Sequence, residues 1–244
     1  MPETKENIWI IGASCGIGAE LAIEYSKTAH VIISARSEDK LEEVSKSLHN
    51  EHLVRVVDIC QTSSIQAALN FILGKWHKID RVILMAGAYQ PMQLGHLDLA
   101  VARNIIETNF IGTVNVIETL LPGMSAFQLA ICASVAGYFG LPNSQPYAAS
   151  KAAVISLTES LKSEYSNVDV RLINPGFVAT RLTEKNKFKM PMIISSKRAA
   201  KYIIAGLAGN SFEIHFPKSF SLIMKLIAIL PYALMNRLNN RLTD

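Results

Sequence analysis

Cysteine is scarce in this sequence, and long apolar runs are missing from it. Its three cysteines, Cys15, Cys60 and Cys132, are far apart and form no C-x-x-C pair, so they indicate neither a zinc site nor structural disulfides. No stretch reaches the ~18 consecutive apolar residues of a membrane span, and the first residues lack the basic flank and apolar run of a signal peptide. We therefore expect a cytoplasmic protein.

Acidic residues are few towards the end of the chain. Residues 181–244 contain 11 Lys or Arg and 3 Asp or Glu, a net charge of +8, whereas residues 1–180 contain 13 and 17, a net charge of −4. The basic residues are not interleaved with aromatic ones in a recognisable nucleic-acid-binding module, so we expect no nucleic-acid partner. The histidines are scattered without the spacing of metal ligands, so we expect no metal.

What the sequence does contain is an alternation of strand and helix patterns from residue 7 to about residue 216. Half of its 244 residues are hydrophobic, which is enough for one α/β domain with a sizeable core. The predicted strands are 7–11, 31–35, 53–60, 80–87, 128–134, 168–174 and 212–216, and the main predicted helices are 38–50, 63–77, 97–121, 147–165 and 195–207. The predicted fold class is α/β, a doubly wound parallel sheet (Rossmann-like) in a single domain.

The first predicted strand runs into a glycine-rich turn, Gly12-Ala-Ser14-Cys-Gly16-Ile17-Gly18, and a helical pattern follows. Glycines allow the backbone to approach a phosphate closely, and the free N–H groups of a helix N-terminus point at the anion. The position of this turn, at the first strand-to-helix junction, predicts a pyrophosphate site rather than an ordinary tight turn.

A serine, a tyrosine and a lysine follow the fifth predicted strand at close spacing. Ser134 ends the strand, and Tyr147 and Lys151 are an i, i+4 pair on one face of a helix that Asn143 or Ser144 can cap. A tyrosine hydroxyl titrates near pH ~10, and a lysine ammonium one turn away would stabilise its anion. The serine would donate a hydrogen bond to a substrate oxygen that gains negative charge. This chemistry suits carbonyl reduction or its reverse.

Ser134 with Tyr147-x-x-x-Lys151, together with the Gly-x-x-x-Gly-x-Gly turn, resembles the pattern of the short-chain dehydrogenase/reductase family. The resemblance covers nearly the whole span from residue 7 to about residue 216. It implies hydride transfer between a nicotinamide dinucleotide and a ketone, aldehyde or alcohol carbon. Tyr147 would exchange the proton with the substrate oxygen, Lys151 would lower the pKa of that tyrosine and bind the ribose, and Ser134 would hold the oxygen.

The same resemblance implies roles for residues elsewhere in the chain. Asn109 would support the proton path by holding a water between the catalytic lysine and solvent, although by itself it is an ordinary buried amide. Asp58-Ile59 would contact the adenine edge, with a helix N-cap as the alternative for this strand-end Asp. The other implied cofactor-binding residues are Ala86, Gly87, Pro175, Gly176, Val178 and Thr180. The Pro-Gly segment would flank the nicotinamide carboxamide, and the threonine would meet the phosphates.

The residue after the second predicted strand indicates which dinucleotide binds. A carboxylate about twenty residues past the first glycine binds the ribose hydroxyls of NAD, whereas a basic side chain pairs with the 2′-phosphate of NADP. Ala35 and Arg36 stand at this place, and no acid does. We therefore predict NADP(H) as the cofactor, the alternative being that Arg36 is an ordinary surface arginine.

Helical periodicity fails after Arg181, around the basic and aromatic residues Lys185, Lys187, Phe188 and Lys189. The resemblance implies a substrate lid over residues 181–200, within a dinucleotide-binding and catalytic domain of residues 1–216. The apolar residues of this region and of the C-terminal segment favour a hydrophobic substrate.

Residues 217–244 form a basic and apolar C-terminal segment. Within it, residues 220–230 are apolar except for Ser221 and Lys225, and Lys225 is the only charged residue among them. Three interpretations stay open for this stretch: a helix that covers the substrate pocket, a contact between copies of the chain, or a shallow peripheral membrane contact through 218–244. We expect a homo-oligomer.

The predicted function is therefore that of an oxidoreductase that transfers a hydride between NADP(H) and a carbonyl or alcohol carbon of a hydrophobic small molecule. The alternative, from a different functional class, is a non-catalytic dinucleotide-binding redox sensor or a scaffold at a membrane surface. Both would bind the dinucleotide, so turnover of a ketone or aldehyde is what distinguishes them.

Overall fold

A parallel sheet of seven short strands, most of whose residues are buried, forms the centre of the molecule. The computed structural model describes residues 5–124, 126–186 and 190–241. The strands are β1 Asn7–Ile11, β2 His30–Ala35, β3 His52–Val56, β4 Arg81–Leu84, β5 Gln128–Cys132, β6 Asp169–Pro175, the small separate pair β7 Val178–Ala179 and β8 Ile194–Ser195, and β9 Glu213–Phe216. The order in the main sheet is β3-β2-β1-β4-β5-β6-β9, with every neighbouring pair parallel.

Helices cover both faces of this sheet. They are α1 Gly16–Tyr25, α2 Glu38–Ser45, α3 Thr62–Trp76, α4 Leu99–Ile106, α5 Gly112–Leu120, α6 Tyr147–Glu164, α7 Ser196–Ala208, α8 Lys218–Ala228 and α9 Tyr232–Arg241. Successive strand residues point to opposite faces. Trp9 and Ile11 therefore join a core with α3, α5 and α6, whereas Ile8 and Ile10 join a second core with α1, α2 and α7. The predicted doubly wound α/β fold is confirmed.

The order of the strands reverses at β1. The chain moves outward from β1 to β3 on one side, and then returns to build β4, β5, β6 and β9 on the other. Open α/β sheets bind their ligands at the carboxyl ends of the strands beside such a reversal. The glycine-rich turn after β1 and Ser134 after β5 both lie at this edge.

Two helices differ from their sequence-based predictions. The pattern over 97–121 is divided by a π-helical turn, Glu107–Ile111, which lies between α4 and α5. The predicted caps of α6 are wrong, because Pro146 is the N-cap residue and no side chain caps this helix. Asn143 has a φ of 56°, a left-handed turn conformation that asparagine tolerates, so it belongs to the preceding turn.

The C-terminal quarter contains the predicted lid and the helices α7, α8 and α9. Of the residues predicted as the lid, Lys187, Phe188 and Lys189 lie outside the described residues, and the part before them includes a short 3-10 turn, Thr183–Lys185. The lid range ends inside α7. Among the residues that the structure describes, no helix combines the length and the apolar character needed to cross a membrane.

Candidate active site

Glycines form a cradle where β1 ends. A Cβ on Gly18 would lie 2.2 Å from the carbonyl oxygen of Gly12, and a Cβ on Gly12 would lie 2.4 Å from the backbone nitrogen of Ala86. Side chains at these positions would force α1 away from β1 and would separate the ends of β1 and β4. Gly12 and Gly16 have φ values of 97° and 59°, a region that glycine enters without the steric cost of a Cβ.

The N-terminus of α1 opens into this cradle. Its N-cap residue, Cys15, makes no side-chain capping bond, so the first N–H groups of the helix are available to an anion. Thr180 closes the other side, with its methyl carbon 3.2 Å from the position of a Cβ on Gly16. Ser14 and Ile17 are partly buried in the same turn. These features fit a pyrophosphate, because bare backbone and a helix dipole meet at one place.

Arg36 lies beside the cradle. The backbone N–H groups of Gly12 and Ala13 both donate to the carbonyl oxygen of Ser34, at 2.7 and 3.1 Å, so the end of β2 lies against the glycine turn. Arg36 follows two residues later, and its side chain is exposed. Because Ser34 is bonded to the glycine turn, an exposed guanidinium only two residues after Ser34 can reach a group bound next to that turn.

Asp58 forms a turn rather than a helix cap. Its Oδ1 atom accepts the N–H of Cys60 at 3.0 Å, and the N-cap residue of α3 is Gln61, so the N-cap interpretation of Asp58 is wrong. Ile59 is buried next to the π-helical turn, where a Cβ on Gly112 would lie 2.7 Å from its side chain. The Asp58 carboxylate therefore lies just past the end of β3, where its bond to the Cys60 N–H holds it.

Asn109 joins the end of β4 to α6. Its Oδ1 atom accepts the N–H of Ala88 at 2.6 Å, and its Nδ2 atom donates to the Ala88 carbonyl and to the Ser150 hydroxyl, both at 2.9 Å. Gly87 faces the same spot, since its Cβ would lie 3.4 Å from the Asn109 oxygen and 3.6 Å from Lys151 Nζ. A π-helical turn often marks a functional site, and here it presents an amide that braces the loop after β4.

Ser134 and Tyr147 bring two hydroxyl groups together. Ser134 is buried, and its hydroxyl accepts the N–H of Ala136 at 3.1 Å and donates to the Pro175 carbonyl at 3.4 Å. Burial raises the pKa of Tyr147 well above its ordinary value, while a hydrogen bond with the Ser134 hydroxyl acts in the opposite direction. At neutral pH the tyrosine is therefore a protonated hydroxyl beside a serine that can share the same substrate oxygen.

Lys151 lies one helical turn from Tyr147, as its spacing predicts. Its Nζ atom donates to the carbonyl of Cys132 at 2.9 Å and lies 5.8 Å from the centre of the Tyr147 ring. Burial lowers the pKa of Lys151. Because an ammonium carries three N–H donors, the bond to Cys132 leaves donors for other partners.

The Pro175-Gly176 segment closes the opposite wall. The N–H of Gly176 donates to the Phe216 carbonyl at 2.7 Å, and a Cβ on Gly176 would lie 2.8 Å from the Phe220 ring. Phe220 belongs to α8, so the inner face of this helix packs on the segment that follows β6. Val178 is buried in β7 two residues further on, which leads the chain to Thr180 at the cradle.

Sequence reasoning missed Tyr89 and Asn186. The ring of Tyr89 packs edge-on against the ring of Tyr147, with 4.8 Å between their centres. Its hydroxyl donates to Oδ1 of Asn186 at 2.5 Å, and its carbonyl accepts a bond from Lys185 at 2.9 Å. The described end of the predicted lid thus contacts the aromatic neighbour of Tyr147. The only sequence signal for Tyr89 is its position two residues after the Ala86-Gly87 pair that follows β4.

Glu213 is a third residue that sequence reasoning missed. Its carboxylate accepts hydrogen bonds from Tyr138 at 2.5 Å and from Asn174 at 2.7 Å, and it forms an ion pair with Lys225 of α8. Burial acts to raise the pKa of Glu213, but the bonds from Lys225, Tyr138 and Asn174 outweigh it and hold the pKa below its ordinary value. This cluster ties α8 to β9 and to the segment after Ser134.

The structure therefore places the glycine turn and the Ser134–Tyr147 pair of hydroxyls at one edge of the sheet. In the described part of the chain, no three His, Cys, Asp or Glu side chains are grouped as a metal site would require.

The family model of short chain dehydrogenases matches residues 6–190 of this chain. The chain belongs to this family of oxidoreductases. An uncharacterized oxidoreductase of Mycobacterium tuberculosis is 28% identical over 96% of this chain and 97% of that protein. Dehydrogenase/reductase SDR family member 7 of Homo sapiens is 32% identical over 73% of this chain and 57% of that protein.

Solved structures show the same fold at lower sequence identity. A short chain dehydrogenase from Burkholderia cenocepacia in complex with NADP superimposes with a TM-score of 0.84, at 23% identity, over 98% of this chain and 99% of that one. A short chain dehydrogenase/reductase from Burkholderia phymatum in complex with NAD superimposes with a TM-score of 0.82, at 20% identity, over 93% and 94% of the two chains. The fold thus accommodates either dinucleotide in its relatives.

Proposed function

We propose that this protein is an NADP(H)-dependent oxidoreductase that interconverts a carbonyl group and an alcohol on a hydrophobic small molecule. The observation that carries the proposal is the pair of hydrogen-bonded hydroxyls of Ser134 and Tyr147, which lies at the same sheet edge as the glycine cradle. A proton-transfer group and a place for a hydride carrier are the two parts that such a reaction needs.

Ser134, Tyr147 and Lys151 have separate roles in the reduction. Ser134 donates a hydrogen bond to the substrate oxygen and holds it, and Tyr147 donates its proton to that oxygen as negative charge develops there. A dinucleotide held at the glycine turn would supply the hydride. Lys151 stabilises the resulting tyrosinate through its positive charge. Because burial raises the pKa of Tyr147, the protonated form that reduction requires is the one present at neutral pH.

Substitution of Tyr147 tests this mechanism. We expect Tyr147→Phe to lower kcat by about 10² to 10⁴, because positioned proton transfer contributes on that order. NADPH affinity, measured by titration calorimetry, should stay within about twofold. Consumption of NADPH with a panel of hydrophobic ketones and aldehydes gives the rates. The matched control is Tyr165→Phe, which removes the hydroxyl of a tyrosine that lies at the other end of α6 and should leave kcat unchanged. A Tyr147→Phe variant with the wild-type rate would contradict the mechanism.

Arg36 supports the choice of NADP(H). Its exposed guanidinium stands just past β2, whose end is bonded to the glycine turn, and no acid occupies that place. A guanidinium binds a phosphate through charge-assisted bonds, while NADH offers it no such group.

Exchange of Arg36 tests this cofactor choice. We expect Arg36→Ala to raise the KM for NADPH by about 10- to 100-fold, since a hydrogen bond to a charged group contributes about 1.5–3 kcal/mol, and to change the KM for NADH far less. Lys46→Ala, which removes another exposed cation just past α2, is the matched control and should change neither value. Equal effects of Arg36→Ala on both cofactors would rule out the assignment to NADP(H).

The side chains next to the site support a hydrophobic substrate. Val135, Phe220 and Met224 are buried together, and partly buried aromatic and aliphatic side chains pack around them, namely Tyr138, Phe139, Leu141 and Phe177. This apolar wall begins at the residue after Ser134. A substrate whose oxygen meets Ser134 therefore has apolar surface available for the rest of its body.

A further inference from the structure

Helix α8 has two unlike faces. On the inner face, Phe220 and Met224 are buried against the segment after Ser134. On the outer face, four large apolar side chains recur at i, i+1, i+4 and i+7 and are all exposed: Leu222, Ile223, Leu226 and Ile229. Burial of the inner face explains why the helix packs on the domain. It does not explain why the outer face is apolar.

The exposed apolar surface continues beyond α8 at both ends. After Pro231, Tyr232 and Leu234 of α9 are 80% and 52% exposed. At the other end, the Ser219 hydroxyl donates to the sulfur of Met192 at 3.3 Å, which places exposed Met192 and Ile193 beside the first turn of α8. We call the whole surface the outer apolar face; it consists of Met192, Ile193, Leu222, Ile223, Leu226, Ile229, Tyr232 and Leu234. Soluble monomers rarely expose large contiguous apolar patches without a function for them.

The sequence around the outer apolar face is almost free of acids. Between residues 185 and 243 there are ten Lys or Arg residues and one acid, Glu213. That carboxylate is already paired with Lys225 and hydrogen-bonded to Tyr138 and Asn174. The remaining cations therefore have no acidic side chain within this stretch to neutralise them.

Contacts in the structure bring some of these cations to the edge of the face. Arg198 donates from Nε to the Tyr202 hydroxyl at 3.2 Å, and the Tyr202 ring stacks on Phe216 with 5.5 Å between centres. Lys218 follows two residues later, at the start of α8, and is exposed. Arg198 of α7 and Lys218 thus lie near the N-terminal end of α8.

We propose that the outer apolar face docks this protein on the surface of an anionic lipid bilayer. An apolar helix face with cations at its border inserts shallowly at the acyl boundary while the cations meet the headgroups. Tyr232 suits that depth, because its ring is apolar and its hydroxyl is polar. Charge favours this occupant over a second copy of the chain, which would bring the same positive charge to the contact.

Vesicle flotation of the full chain tests the proposal. We expect wild-type protein to float with vesicles of phosphatidylcholine and phosphatidylglycerol, to stay unbound with phosphatidylcholine alone, and to bind less at high salt. Leu222→Ser with Leu226→Ser should lower the partition coefficient at least about tenfold, because two leucines no longer enter the bilayer. Arg237, in α9, is an exposed cation like Lys218, and Lys218→Gln with Arg237→Gln should lower binding to the anionic vesicles by about tenfold.

The matched control removes an equally exposed leucine elsewhere. Leu99 of α4 is 65% exposed and Leu226 is 61% exposed, so Leu99→Ser should leave flotation unchanged. Wild-type protein that stays unbound with anionic vesicles would overturn the proposal, as would an unchanged Leu222→Ser/Leu226→Ser variant. A lipid-free wild-type dimer that this double substitution converts to a monomer, with no flotation of either, would overturn it in favour of a second copy.

Docking and catalysis are tested separately. Flotation measures only binding to vesicles, and reduction of a water-soluble ketone by the same samples measures only catalysis. Wild-type protein that reduces the ketone but does not float would reject the docking face and leave the proposed function intact. Wild-type protein that floats but reduces no compound of the substrate panel would reject the proposed function and leave the docking face intact.

Discussion

Glycine is indispensable at one helical position of this chain and dispensable at another. At Gly18, an added Cβ would meet the Gly12 carbonyl oxygen at 2.2 Å, so α1 and β1 cannot keep their spacing. At Gly74, in α3, an added Cβ would meet no atom within 4 Å. The same substitution therefore separates the cost of lost space from the gain in helix propensity.

Alanine at these two positions gives opposite expected results. Gly18→Ala should lower the free energy of unfolding by about 1–3 kcal/mol, the usual cost of overpacking, and should also weaken NADPH binding. Gly74→Ala should raise the free energy of unfolding by about 0.5–1 kcal/mol, since alanine loses less backbone entropy in a helix. Urea denaturation measures both. A Gly18→Ala variant as stable as the wild type would show that the cradle can widen without cost.

At the residue scale, proximity could be predicted where the residues are close in the chain. Ser134, Tyr147 and Lys151 lie within one strand–loop–helix unit, so the sequence indicates that they lie close together, whereas their catalytic roles come from the family resemblance and stay predictions. Tyr89 and Glu213 reach the site through partners 97 and 75 residues away in the chain, at Asn186 and Tyr138. No local pattern encodes such contacts, because the sheet brings them together only after it has formed.

At the scale of single elements, α8 depends on one carboxylate. Lys225 of α8, Tyr138 and Asn174 all contact Glu213 of β9, and together they hold the pKa of Glu213 below its ordinary value of 4.5. A group whose pKa is lower in the folded protein stabilises it above the unfolded pKa, and this contribution is lost as pH falls through the folded pKa. The attachment of α8 should therefore weaken only in acid.

The pH dependence of stability measures this attachment. At pH 7, Glu213→Gln should lower the free energy of unfolding by about 1–3 kcal/mol, the size expected for hydrogen bonds to a charged group. The difference from the wild type should shrink below about pH 4.5, as Glu213 of the wild type becomes protonated. Glu164→Gln, at the exposed end of α6, is the control and should stay within about 0.5 kcal/mol. A difference that stays constant into acid would assign the effect to packing rather than charge.

Elements were predictable where hydrophobic periodicity is strong. The strands β1, β2, β5 and β6 begin and end within two residues of their predicted bounds, because apolar runs in a parallel sheet are buried on both faces. The π-helical turn at Glu107–Ile111 was not predictable, since it inserts one residue into a pattern that still reads as helical. The start of α6 at Tyr147 was predicted correctly, but its capping residues were not, because a residue such as Asn143 caps a helix only when its backbone is extended there.

For the whole molecule, the order of elements in the sequence already determined the fold class. Strands that alternate with helices need right-handed crossovers, and these leave few topologies besides a doubly wound sheet. The position of α8 and α9 was beyond sequence reasoning, because three interpretations of residues 220–230 were equally compatible with an apolar stretch that carries one cation. The structure places one face of α8 inward and leaves the other exposed, which a hydrophobicity pattern alone could not separate.

The bond between Gly176 and Phe216 has a consequence for the time at which this protein becomes complete during its synthesis. Strand β1 emerges first, and the serine, tyrosine and lysine follow well before β9. Yet the loop after β6 is held by the hydrogen bond from the N–H of Gly176 to the carbonyl oxygen of Phe216 on β9, at 2.7 Å. A nascent chain that has been synthesised only to residue 200 contains every side chain of the proposed chemistry. The bond that positions the loop beside those side chains cannot form until β9 has been synthesised.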